Sequence, residues 1–148
     1  MKVIDTYNAM VGALVAVLSY ILGPHWFLFA LFLGLNIIDW LTGWIKAKIT
    51  GSESSKTGLI GILKKFAYWM VVIASFSLSA AFVEVGKIID MNLGVTTLLG
   101  WFVLASFLVN EGRSICENFV EMGVEVPKVL VKGLQVANKV VNQEDDNE

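Results

Sequence analysis

One carboxylate sits inside an apolar stretch of this sequence. Asp39 lies within LFLGLNIIDWLTGWI, with no other charge until Lys46. A charge at the centre of a membrane helix costs about 2.5–3.5 kcal/mol on insertion scales and less near an interface, so it requires a partner or water. Asn36, Asp39, Gly43 and Lys46 follow one another at intervals of 3, 4 and 3, which places them on one helix face that should turn inward. Lys64 and Lys65 stand at the head of the next apolar stretch, at a similar expected depth. With Lys46 they are the candidate partners of Asp39. Two chemistries fit this set: a satisfied polar pair that fixes helix register, or a gating group on a water-filled path.

Covalent chemistry finds no such arrangement. His25 is the only histidine and Cys116 the only cysteine, so neither a metal cluster nor an internal disulfide is expected. No nucleophile has a base at a usable spacing. Gly51, Gly58 and Gly61 lack the Gly-x4-Gly-Lys-Ser/Thr spacing of a phosphate loop, while Ser54, Ser55 and Thr57 suit the start of a helix near Gly58. The expectation is a protein without catalytic residues, cofactor or metal, and with no nucleic-acid partner.

The elements that must position Asp39 are membrane helices. Of 148 residues, 56% are hydrophobic and 16% charged, and the mean hydropathy is +0.70, far from soluble averages. Residues 6–23 carry no charge and make about 27 Å of helix, enough to span a bilayer. Gly23-Pro24 breaks it. A second span is expected over 26–45, with Trp26 near one end and Trp40 and Trp44 near the other as interfacial anchors. A polar cytoplasmic connector over 46–65 leads to spans over 66–83 and 91–110.

With that connector in the cytoplasm, Lys2, Lys46, Lys48, Lys56, Lys64, Lys65, Arg113, Lys128, Lys132 and Lys139 are all inside and Lys87 alone is outside. The expected fold is an all-α polytopic membrane bundle of about four transmembrane helices, both termini in the cytoplasm, with a transmembrane domain over 1–110. The alternative is a three-span chain whose first hairpin is half inserted. Residues 111–142 form a cytoplasmic amphipathic helical segment. Within it Gly123 ends one helix and Pro127 opens another, in which Leu130, Leu134, Ala137 and Val141 make an apolar stripe roughly opposite Lys128, Lys132 and Lys139. That stripe either lies on the anionic leaflet or packs on another helix. Residues 143–148 read as a disordered acidic tail.

Small residues let membrane helices approach closely. Gly12 with Ala16, Ala30 with Gly34, Gly43, and Ser75 with Ser79 are the candidate packing or oligomerisation positions. In an assembled pore the serine face offers hydroxyls that tolerate water.

Two stretches resemble the bacteriophage holin family of the toxin-secretion and phage-lysis type, which includes the clostridial toxin-release holins. In the first, Asp39, Thr42, Gly43 and Lys46, then Ser55, Gly58, Gly61, Lys64 and Lys65, are similar to the family's Asp-x-x-Thr-Gly, its Ser-x-x-Gly-x-x-Gly and its paired lysines. In the second, Asn110, Glu111, Ser114, Ile115, Glu117, Asn118, Gly123 and Pro127 match the Asn-Glu, Ser-Ile, Glu-Asn, Gly and Pro positions. Arg113 departs from the pattern, where an apolar residue is expected.

The resemblance implies a non-enzymatic multi-pass protein of the bacterial cytoplasmic membrane that contacts lipid and forms homo-oligomers. It further implies that the oligomers open lesions, dissipate the membrane potential and release a cell-wall hydrolase or a large toxin. Two alternatives stay open on the sequence alone: a small ion channel or transporter using Asp39, or a non-conducting anchor that recruits a cytoplasmic partner through its C-terminal helix.

Overall fold

A computed structural model describes residues 2–142 and is helical from end to end, with no strand among them. The acidic tail expected at 143–148 lies outside the described residues. Helix α1 is Lys2–Leu22, α2 Trp26–Thr50, α3 Ser55–Ile88, α4 Leu98–Glu121 and α5 Lys128–Asn142, with a 3-10 turn at Gly94–Thr97 before α4.

The chain divides into two compact units, the first ending at Gly34 and the second beginning at Leu35. In the first, Gly23 at φ +75° reverses the backbone after α1, and Trp26 N–H donates to the Gly23 carbonyl at 3.2 Å. This is the break expected at Gly23-Pro24.

Three stretches are long and apolar enough to cross a membrane: Trp26–Thr50, Ser55–Ile88 and Gly94–Glu121. In α1 the apolar stretch is Ile4–Val17. The chain is thus an all-helical, multi-pass membrane protein.

The helices run further than apolarity alone suggests. Within the polar segment 46–65 only residues 51–54 are non-helical, because lysine is a good helix former and a polar residue does not by itself end a helix. What ends α2 is backbone geometry. Gly51 takes φ +64° and Ser52 N–H reaches back to the Ala47 carbonyl at 3.0 Å, while Ser54 caps α3 by accepting from Thr57 N–H. The same closure recurs twice. Asp90 (φ 55°) with Met91 N–H to the Gly86 carbonyl at 2.8 Å ends α3, and Gly123 (φ 82°) with Val124 N–H to the Phe119 carbonyl at 2.9 Å ends α4.

In the second unit α3 and α4 form an antiparallel pair. On α3 the buried residues Val72, Ser75, Ser79 and Gly86 follow at 3, 4 and 7, one continuous stripe. Gly100, Leu104 and Glu111 do the same on α4. Tyr68 stacks on Phe107 with ring centroids 4.5 Å apart, and Phe76 meets Trp101 edge-on at 5.0 Å. Ser75 and Ser79 are 7% and 4% exposed, and their hydroxyls donate to the Val71 and Ser75 carbonyls of their own helix. Their place is the seam within one chain. Helix α5 packs beside α4, where Leu134 Cδ2 lies 3.2 Å from the position a Cβ on Gly112 would take. The Leu130 stripe therefore packs on another helix.

Candidate functional site

The inward face of α2, α3 near its start and the second half of α4 converge on a polar cluster. Asn36 and Thr42 are buried on α2, with Asp39, Gly43 and Lys46 partly buried beside them. On α3 Lys65 stands two turns before Val72 on the same face, and on α4 Glu111 and Asn118 stand seven residues apart on the same face. Lys65 Nζ lies 2.8 Å from Asp39 Oδ2 and also bonds Glu111 Oε2. The side chains of Lys65, Asp39 and Glu111 are 17%, 15% and 4% exposed, so each charge has lost most of its water.

Asn118 supplies the second anchor. Its Nδ2 donates to Asp39 Oδ1 at 3.1 Å and to Thr42 Oγ1 at 3.1 Å, and approaches the Asp39 carbonyl at 3.4 Å. The Thr42 hydroxyl in turn donates to the Asp39 carbonyl at 3.1 Å. Both oxygens of Asp39 are therefore engaged by protein, one by an ammonium and one by an amide. Gly43 lies beside this contact, since a Cβ there would sit 3.6 Å from Asn118 Nδ2. Toward the chain's polar end, Lys46 pairs with Glu121 at 3.3 Å, half open to solvent.

Two carboxylates share one ammonium, leaving one formal negative charge among the three groups. Each member faces a polar atom on a different helix, so the cluster fixes the rotation and axial register of all three helices at once. It holds no activated nucleophile and no ligand set for a cation.

The residues singled out in the sequence separate clearly in space. Lys65 joins Asp39, whereas Lys64 is exposed. Ser55 and Gly58 are exposed and Gly61 partly so, at the start of α3. Gly12, Ala16 and Ala30 are exposed and Gly34 partly covered, with open space around Gly12, Gly34, Gly58 and Gly61. Ser114 is partly buried. Gly123 and Pro127 form the turn into α5. Glu117 pairs with Arg113 at 2.8 Å on the exposed side of α4, which accounts for a charge where an apolar residue is expected.

Glu111 and Asn118 are legible in the sequence as motif positions but not as partners of Lys65 and Asp39. Their seven-residue spacing is the available signal, because it puts both on the face that the α4 seam continues.

The profile of the bacteriophage holin family matches residues 16–139. A probable holin of Bacillus phage phi105 is 33% identical over 106 residues, covering 72% of this chain and 70% of its own length. An uncharacterized protein of Halalkalibacterium halodurans is 32% identical over 125 residues, 84% of this chain and 88% of its own. One from Listeria innocua is 33% identical over 115 residues, 78% and 74% respectively. No solved structure matches.

Proposed function

The chain belongs to the bacteriophage holin family, and from that premise we propose that its copies assemble in the cytoplasmic membrane into lesions that dissipate the membrane potential. The lesions release a cell-wall hydrolase, or a large toxin, from the cytoplasm. Four spans with both termini inside is the topology that goes with this reading, since it leaves Lys87 as the single basic residue outside.

The observation that carries the proposal is how little a single chain encloses. The interior of the α3–α4 pair is filled by Val72 and Leu104, each 1% exposed, and by Ser75 and Ser79. A filled two-helix seam has no room for a conducting path. Meanwhile large apolar side chains such as Leu31, Phe66, Ile73 and Phe102 remain exposed along the spans. A lesion therefore requires several copies side by side, and the open space around Gly58 and Gly61 offers a close-approach surface between them. Asp39 is bound on both oxygens, so its task is to hold helices in register for assembly.

Producing the chain alone in bacteria while following a potential-sensitive dye tests this. The expected outcome is normal potential during accumulation and then abrupt depolarisation. Normal growth and potential at high membrane levels would rule the proposal out.

A further inference from the structure

Helix α5 has two apolar rows, and the structure uses only one. Leu134, Ala137 and Val141 are partly covered, facing α4. Roughly a third of a turn away, at about 100° per residue, Val129, Val136 and Val140 form a second row. They are 83%, 62% and 68% exposed. Lys128, Lys132 and Lys139 border this row on the side away from α4, and all three are exposed. The helix contains no carboxylate.

The level of α5 relative to the bilayer follows from Gly112. It lies just past the uncharged stretch 91–110, and Leu134 packs directly over it. The middle of α5 thus lies level with the end of that apolar stretch.

We propose that the Val129, Val136 and Val140 row of α5 docks on an anionic phospholipid surface, with Lys128 and Lys132 meeting headgroup phosphates. A valine row bordered by ammonium groups has the two properties such a surface selects, apolar side chains for the acyl boundary and cations for the phosphates. A second copy is disfavoured as the occupant. Pairing the same faces of two α5 helices brings lysine toward lysine, with no acid on the helix to offset it. The inference rests on the multi-pass membrane placement and not on lesion formation, so its test reads lipid contact and no permeability.

The full chain carrying Cys116→Ser and Val136→Cys, labelled with a nitroxide, is placed in nanodiscs of phosphatidylglycerol or phosphatidylcholine. The label should be reached by oxygen and shielded from a water-soluble nickel chelate in the anionic discs, while a label at Gln135→Cys stays open to the chelate. Adding Lys128→Gln and Lys132→Gln should weaken docking by about thirtyfold, from about fivefold per lysine. Val140→Cys gives a second reading should Val136→Cys disturb the helix. Chelate access at positions 136 and 140 equal to that at 135 overturns the proposal. So does strong spin coupling between labels at position 136, which would make a second copy the occupant.

Discussion

The two ends of the α3–α4 pair are held by different physics. At one end Lys65 lies between Asp39 and Glu111, and Asn118 ties Asp39 to α4. At the other end the contacts are steric. A Cβ on Gly100 would stand 2.7–2.9 Å from the Phe76 ring, and one on Gly86 would stand 2.5 Å from the Met91 carbonyl oxygen. The polar end is specific because every group must meet its complement. The packed end is specific because no further atom fits. A membrane protein gains little from apolar contact alone, lipid tails being as apolar as leucine. Register must therefore come from features that lipid cannot imitate, and the pair has one kind at each end.

The strongest way to break this comparison is Lys65→Ala. It leaves two desolvated carboxylates facing each other, and breaking a buried pair costs about 3–5 kcal/mol. Circular dichroism during denaturation in mild detergent should show a large loss of stability, and Lys64→Ala almost none. Equal behaviour of the two variants would mean that the polar end carries no weight. Combining Lys65→Met with Asp39→Asn and Glu111→Gln should recover much of the loss, since removing all the charges also removes the desolvation cost.

Gly100→Ala probes the other end. Overpacking of this kind costs about 1–3 kcal/mol, and Phe76→Leu in the same chain should restore part of it. If Gly100→Ala proved neutral while Gly58→Ala, with open space around it, lowered stability, the steric account of the packed end would be wrong.

The smallest effect sharpens the contrast. Arg113 and Glu117 pair at 2.8 Å but are 61% and 56% exposed, so Arg113→Ala should change stability by no more than about 0.5 kcal/mol. A larger loss in the same denaturation series would show that exposure is a poor guide to the worth of a pair in this protein.

Legibility in the sequence followed the range of the interaction. The 3, 4, 3 spacing from Asn36 to Lys46 placed Asp39 on an inward face because helix periodicity is local. Ser54, Ser55 and Thr57 marked a helix start near Gly58, and α3 begins at Ser55, whereas the end of α2 at Gly51 is set by backbone geometry. Lys64 and Lys65 were equivalent as candidates, since neighbours in sequence differ by about 100° around the helix. Only the seam set by Val72 and Ser75 decides which of them points inward. Ser75 and Ser79 likewise read as packing or oligomerisation positions, and only the tertiary structure shows them covered in the seam with α4.

What the amino-acid sequence determined by itself is membrane residence, the apolar stretches, the helix ends at Gly23 and Gly123, and the family. All of these depend on composition or on residues within a turn or two of one another. The tertiary structure alone decided that Lys65 serves Asp39 and Glu111 together, that Asn118 closes the cluster, and that α5 lays one apolar row on α4 and leaves the other exposed. Those outcomes depend on how far one helix slides and turns against another. No periodicity within a single helix carries that information, because it is the mutual fit of two faces that sets it.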